Sequence, residues 1–258
     1  MSYDSAADSY AGRRLAVEGI VVAATTVCLL AGGYGWFTEV ATRSTAVRWF
    51  VPTVIVTGFM SVYLWRHRQA LRRPNGSRLE SLGLANGITL ARAALIAGVA
   101  GFAVVSVEGN LRWLPALGYG TAVALDAVDG AVARSVGVET RLGERLDMAV
   151  DTTGFLVVPI VAVAWGSLPV WYLSLSAARY CYLGGCALWR RRGGTVGDLP
   201  PSRLRRPLAA LQMVFITFAL VPVAPTALVW TLAPVVLIPS LAVFGRDWIA
   251  VTVHSSEE

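Results

Sequence analysis

Four aspartates stand close together in the middle of a chain that otherwise carries few acidic residues. Asp126 and Asp129 are three positions apart, and Asp147 and Asp151 are four positions apart. If both segments are helical, each spacing places its two carboxylates on one helix face. Because the connection between the segments is short, we expect two antiparallel neighbouring helices whose four carboxylates converge.

Converging carboxylates would repel one another and lose hydration unless they bind protons or cations. The two segments contain neither His nor Cys, so every ligand would be an oxygen atom, which favours Mg²⁺ or Mn²⁺. Four carboxylates are enough for two ions, the arrangement that neutralises two phosphate oxygens together. Three small residues, Gly130, Ala133 and Gly143, accompany the acids, and so does Arg134, whose planar guanidinium suits a phosphate group. Together these residues indicate phosphate chemistry.

The elements that must position these residues are membrane helices. Of the 258 residues, 55% are hydrophobic and only 15% are charged, which argues against an ordinary soluble domain. Continuous apolar stretches approach the length that crosses a bilayer at residues 15–34, 47–65, 88–107, 114–133, 146–165, 168–188, 207–223 and 226–244. We therefore predict an all-α polytopic membrane helix bundle with about eight spans.

The basic residues, all of them arginine, predict the orientation of the spans. If the N-terminus is cytoplasmic, 17 of the 22 arginines fall on the cytoplasmic face and three on the other. The positive-inside rule then places both termini and the acidic segments at the cytoplasmic face. The first apolar stretch is longer than the core of a signal peptide, so we expect it to be a retained span.

A basic, turn-rich segment at residues 66–78 predicts a boundary in the chain. Before it we expect a two-helix N-terminal membrane hairpin, which with the linker occupies residues 1–79. After it we expect a six-helix catalytic core over residues 80–250 and a cytoplasmic tail over 251–258. The arginines of the linker suit anionic lipid headgroups, and nothing favours nucleic acid as a partner.

The acidic segments resemble the signature of the CDP-alcohol phosphotransferase (CDP-alcohol phosphatidyltransferase) family. The family pattern D-x2-D-G-x2-A-R-x8-G-x3-D-x3-D is matched at every spacing by Asp126, Asp129, Gly130, Ala133, Arg134, Gly143, Asp147 and Asp151. Upstream, Asn86, Thr89 and Arg92 match most of the family's P-N-x-I-T-x-x-R opening, with Ala85 in the place of the proline. The resemblance covers about residues 80–250.

The resemblance implies an enzyme of phospholipid synthesis that transfers a phosphatidyl-type group from a CDP-activated lipid to an alcohol and releases CMP. It implies that Asp126, Asp129 and Asp147 bind Mg²⁺ or Mn²⁺, and that Asp151 binds metal and acts as general base on the acceptor hydroxyl. The CDP-lipid would contact Gly130, Ala133, Arg134, Gly143, Asn86, Thr89 and Arg92. We also expect a homodimer.

The acceptor is indicated by arginines near the predicted cytoplasmic entrance. Arg179 lies where family members often carry an arginine, and Arg206 precedes Gln212 at the spacing seen in the family. Arginines there favour a phosphate-bearing acceptor, with glycerol 3-phosphate first. Inositol phosphate, inositol and serine are alternative acceptors.

Two other functions also use acidic residues in membrane helices. An intramembrane prenyltransferase would bind a diphosphate through Mg²⁺, but its two acidic motifs usually lie on well-separated helices. A cation-coupled transporter would bind its substrate and ions near the membrane midplane, and no inverted repeat is evident in the sequence. A non-catalytic membrane scaffold is disfavoured by the complete motif.

Overall fold

The protein is described by a computed structural model over residues 3–67, 83–136, 141–193 and 202–253. Within these ranges the chain is helical and contains no strand, so the predicted all-α class is confirmed. The helices are α1 (Tyr3–Val40), α2 (Arg43–His67), α3 (Gly83–Ala100), α4 (Leu114–Val136), α5 (Arg141–Ala164), α6 (Ser174–Arg191), α7 (Arg205–Leu220) and α8 (Thr226–Val253). Each predicted span overlaps one of them.

Five of the described helices are long and apolar enough to cross a membrane. These stretches are Val17–Val40, Arg43–His67, Ala85–Ala103, Leu142–Ala164 and Thr226–Val251. The helices α4, α6 and α7 fall short of the same length or composition; α7, for example, has only 16 residues. The five stretches support an integral membrane protein, as the composition predicts.

The helices fall into two compact units by their internal contacts. The first unit consists of Met1–Val107 and Leu117–Gly154, and the second of Glu108–Ala116 and Phe155–Glu258. The first unit therefore holds α1 to α3, most of α4 and the first part of α5. The second unit holds the end of α5 together with α6, α7 and α8.

An aromatic cluster fastens the α1–α2 hairpin to α3 in the first unit. The rings of Phe37 and Trp49 stack with centroids 5.0 Å apart, and Trp49 Nε1 donates a hydrogen bond to the carbonyl oxygen of Gly98 at 2.9 Å. Any Cβ at Gly101 would lie 2.2 Å from Trp49 Cδ1, so only glycine fits beneath the indole ring. The hairpin thus fixes the end of the helix whose buried face reaches the acidic residues.

A buried polar network joins α7 and α8 in the second unit. The hydroxyl of Tyr172 donates to Gln212 Oε1, and Gln212 Nε2 donates to the carbonyl oxygen of Val236 and to Ser240 Oγ, both at 2.9 Å. Each polar atom of the Gln212 side chain is therefore used within the protein. Such fully satisfied networks hold buried helices in one register.

The last helix differs from its prediction. The apolar stretch predicted a span ending at residue 244, whereas α8 continues to Val253. The charges of Arg246 and Asp247 pair with each other at 2.8 Å, and the apolar period resumes at Trp248 and Val251. Because the charges are paired, they do not end the helix, and Asp247 is carried into the packed interior.

Candidate active site

Three of the four predicted aspartates meet in the first unit. Helix α4 supplies Asp126, and α5 supplies Asp147 and Asp151 one turn apart. One carboxylate oxygen from each residue lies within 4.8 Å of the others. The carboxylates keep between 24% and 43% of their side-chain surface exposed, so a ligand can reach them. The fourth aspartate, Asp129, lies on α4, but its side chain is outside the described residues.

A single buried arginine holds these three carboxylates together. Arg92 of α3 keeps only 3% of its side-chain surface exposed. Its Nη2 lies 2.8 Å from Asp126 Oδ1 and 2.6 Å from Asp151 Oδ1, and its Nη1 pairs with Asp147 Oδ1. The resemblance implies a contact between Arg92 and the CDP-lipid; the structure gives the guanidinium the aspartates as partners.

The donor set and its charge fit a divalent cation. Three carboxylates against one guanidinium leave two net negative charges, which is the charge that one divalent ion neutralises. Oxygen atoms on opposite sides of Mg²⁺ are separated by about 4.2 Å, twice its coordination distance. The three oxygen atoms lie within 4.8 Å, so small side-chain movements would bring them onto one ion. Asp126, Asp147 and Asp151 are thus the residues that could hold it.

The residues that the resemblance assigns to the CDP-lipid are only partly described. Asn86 and Thr89 are buried on the same face of α3 as Arg92, three positions apart along the helix. Thr89 Oγ1 donates to the carbonyl oxygen of Ala85 at 3.2 Å. Gly143 lies in the first turn of α5, one turn before Asp147. Gly130, Ala133 and Arg134 lie on α4, but apart from their helical backbone they are outside the described part of the chain.

The second unit contains a cavity of about 260 Å³, and its lining includes both arginines predicted to bind the acceptor alcohol. Six of its lining residues are apolar (Phe155, Leu175, Leu208, Ala209, Val243 and Phe244). The other six are polar or charged (Arg179, Arg205, Arg206, Gln212, Ser240 and Asp247). The guanidinium of Arg179 lies over the ring of Phe155, 5.4 Å from its centroid. The cavity can therefore receive a molecule with an anionic and an apolar part.

A buried carboxylate organises the arginines at this cavity. Asp247 Oδ2 accepts a hydrogen bond from Arg205 Nε at 2.6 Å, and Asp247 Oδ1 accepts one from Arg246 Nη2 at 2.8 Å. Only 6% of the Asp247 side-chain surface is exposed. The hydrogen bond to Asp247 raises the pKa of Arg205, so this arginine is charged at every physiological pH.

Sequence reasoning missed the pair of Arg205 and Asp247. Arg205 is one of many arginines in a basic connection, and the spacing to Gln212 singles out its neighbour Arg206 instead. Asp247 offered the better signal, because acidic residues within apolar helices are seldom there without a partner or a function. That signal was lost when the last span was predicted to end at residue 244.

Comparison with known proteins places the chain in a family. A family model described as CDP-alcohol phosphatidyltransferase matches residues 82–243. Proteins named "Putative cardiolipin synthase" from Mycobacterium bovis and from two strains of Mycobacterium tuberculosis are each 32% identical to this chain over 117 residues. That alignment covers 43% of this chain and 52% of each relative, so the chain spans about half the length of the curated relatives it matches. No solved structure matches. Because the family model spans more than half of the sequence, including both acidic segments, the chain belongs to the CDP-alcohol phosphatidyltransferase family.

Proposed function

We propose that this protein is an integral-membrane transferase that moves a phosphatidyl-type group from a CDP-activated lipid to an alcohol and releases CMP. The observation that carries the proposal is the group of Asp126, Asp147 and Asp151 around Arg92, within the region that matches the family. The same family membership argues against a prenyltransferase or a cation-coupled transporter.

The reaction exchanges one P–O bond for another. The acceptor hydroxyl oxygen forms a bond to the lipid-bearing phosphorus of the CDP-lipid, and the bond from that phosphorus to the bridging oxygen breaks, so that CMP leaves. Asp151 takes the proton of the hydroxyl as the new bond forms. Its partly exposed carboxylate, one helical turn from Asp147, is accessible for this role.

We assign the divalent cations, two of Mg²⁺ or Mn²⁺, to Asp126, Asp129, Asp147 and Asp151. When bound, such ions neutralise the diphosphate and stabilise the charge on the leaving CMP. In this assignment Arg92 keeps the carboxylates at a fixed separation before substrate enters, which reduces the reorganisation that the reaction requires. Asn86, Thr89 and Arg92 stay candidate contacts of the CDP-lipid, as do Gly130, Ala133, Arg134 and Gly143.

We propose that the acceptor carries a phosphate, and we favour a glycerol phosphate group. The support is the cavity in the second unit, which Arg179, Arg205 and Arg206 line together with several apolar residues. This chemistry has two sources, free glycerol 3-phosphate and the lipid phosphatidylglycerol. The second is favoured by the cardiolipin synthase name of the relatives, because cardiolipin forms when phosphatidylglycerol accepts a phosphatidyl group.

Other predictions complete the proposal. The distribution of arginines supports a cluster at the cytoplasmic face and cytoplasmic termini. The hairpin and linker at residues 1–79, the catalytic core at 80–250, the tail at 251–258 and a homodimer stay predictions.

An acceptor panel tests the proposed reaction. Purified protein in detergent with CDP-diacylglycerol and MgCl₂ or MnCl₂ is offered glycerol 3-phosphate, phosphatidylglycerol, inositol phosphate, inositol or serine, and CMP and lipid products are measured. We expect CMP with a glycerol phosphate acceptor, none without an acceptor, and none after chelation with EDTA. Turnover with serine alone would contradict the phosphate-bearing acceptor, and turnover in EDTA would contradict the metal assignment.

A further inference from the structure

The pairing with Asp247 fixes the position of one arginine of the cavity, Arg205. Arg205 Nε is committed to Asp247 Oδ2 at 2.6 Å, and the other carboxylate oxygen is committed to Arg246 at 2.8 Å. Both oxygens of this buried carboxylate are therefore in use. A guanidinium is planar, so fixing its Nε direction also fixes the directions of the remaining N–H groups.

One of those remaining groups is buried and unused. Arg205 Nη2 has no hydrogen-bond partner among the described residues, although it is shielded from solvent. Leaving a buried cationic donor unpaired is unfavourable, so such an atom favours a ligand with an acceptor oxygen. Arg205 lines the cavity, whereas Gln212, another polar residue of the same wall, already has partners for its amide atoms.

The charge around the cavity selects the sign of that ligand. Asp247 carries one negative charge against the two positive charges of Arg205 and Arg246, and Arg179 and Arg206 add two more arginines to the wall. An anionic oxygen on the ligand is thus favoured over a neutral or cationic group.

We propose that Asp247 is a positioning residue that holds Arg205 in a fixed orientation. In this proposal Arg205 Nη2 donates a hydrogen bond to an anionic phosphate oxygen of the acceptor substrate. The inference rests on the proposed transfer to a phosphate-bearing alcohol and deepens it, because it names the donor atom and the residue that orients it. Asp247 itself does not contact the acceptor.

The kinetic test separates acceptor binding from donor binding. Initial rates of CMP release are measured against glycerol 3-phosphate and phosphatidylglycerol in turn, and against CDP-diacylglycerol, for Arg205→Gln, Asp247→Asn, their double variant and Asp247→Glu. We expect Arg205→Gln to raise the acceptor KM by about 10- to 100-fold, because a charge-assisted hydrogen bond is lost. Asp247→Asn should raise it by about 10-fold, since the guanidinium is still present but only a neutral amide oxygen is left to hold it.

The remaining variants test the positioning role specifically. The double variant should be no worse than Arg205→Gln alone, since Asp247 acts only through Arg205. Asp247→Glu should recover part of the affinity, because it restores the carboxylate. The matched control is Arg203→Gln, which removes the same charge from an exposed arginine outside the cavity and should leave both KM values within about twofold of wild type.

Binding without turnover keeps the inference separate from the proposed reaction. Glycerol 3-phosphate should raise the thermal midpoint of wild type and of Arg203→Gln, and should raise that of Arg205→Gln and Asp247→Asn much less. An Asp247→Asn variant that is folded, with an unchanged acceptor KM and an unchanged thermal shift, overturns the inference. If Asp247→Asn fails to fold, the acceptor KM and the thermal shift of Arg205→Gln and of Asp247→Glu decide whether the inference holds. Absence of CMP release by wild type with every acceptor contradicts the proposed function, whereas the thermal shifts still test Arg205.

Discussion

The two units of this protein contain ion-pair clusters of opposite composition. In the first unit one arginine, Arg92, is surrounded by three carboxylates; in the second, one carboxylate, Asp247, is held between two arginines. The pairs of Arg92 with Asp126 and Asp151 and the pairs of Asp247 with Arg205 and Arg246 have similar nitrogen–oxygen distances, 2.6 to 2.8 Å. The difference is the charge left over, which is negative in the first cluster and positive in the second.

The comparison teaches that the residue at the centre of a cluster and the ligand outside it have the same sign of charge. Arg92 cancels one of three negative charges, so the first cluster still attracts a cation. Asp247 cancels one of two positive charges, so the second still attracts an anion. In both cases the central residue lowers the repulsion among its neighbours and fixes their directions. We therefore expect substitutions in the first cluster to lower kcat or stability, and substitutions in the second cluster to raise the acceptor KM.

The largest effect is expected in the first cluster. Asp151→Asn removes the proposed general base and a metal ligand, so we predict that kcat for CMP release falls by about 10³-fold or more. Metal-dependent binding of the CDP-lipid should stay measurable. Asp247→Asn, by contrast, should raise the acceptor KM, so the two variants distinguish the two clusters. Retained turnover by Asp151→Asn would refute the base assignment.

A substitution of the central arginine should change stability as well as activity. Arg92→Met leaves three carboxylates facing one another without a cation, and we predict a loss of about 2–4 kcal/mol in the metal-free protein. Adding MnCl₂ should then raise the thermal midpoint more in the variant than in wild type, because a cation replaces the missing charge.

The control for this experiment is Arg48→Met, an exposed arginine of the same unit. It should unfold within about 1 °C of wild type, with and without the metal, because an exposed charge contributes little to stability. Midpoints at one fixed scan rate suffice if unfolding is irreversible. An Arg92→Met variant as stable as wild type in EDTA would break the proposed parallel between the two clusters.

The smallest effect is expected at a site outside both clusters. Trp49→Phe keeps an aromatic ring against Phe37 but loses the hydrogen bond from Nε1 to Gly98. We predict a loss of about 1–2 kcal/mol in stability, since the ring is smaller and the hydrogen bond from Nε1 is lost. Both KM values should stay near those of wild type. A selective rise in the KM of one substrate would show that the hairpin contributes to a site.

The helical class and the membrane composition could be predicted because they depend on local pattern. Long apolar stretches predict helices wherever they occur, and each predicted span overlaps a helix of the structure. Errors arose at helix ends, as at α8, where the charges of Arg246 and Asp247 looked like the start of a polar tail. In the structure they neutralise each other and the helix continues to Val253.

The family and the aspartates were determined by the sequence itself. The spacing of Asp147 and Asp151 fixes their common face through the helical repeat, and no tertiary contact is needed to see it. The partners of these charges were decided by the tertiary structure alone. Arg92 reaches Asp147 across 55 positions and Arg205 reaches Asp247 across 42, distances at which a helical period carries no information. Which of 22 arginines cancels a carboxylate, and which is left to bind a ligand, depends on helix packing, because only packing brings charges from separate helices within hydrogen-bond distance.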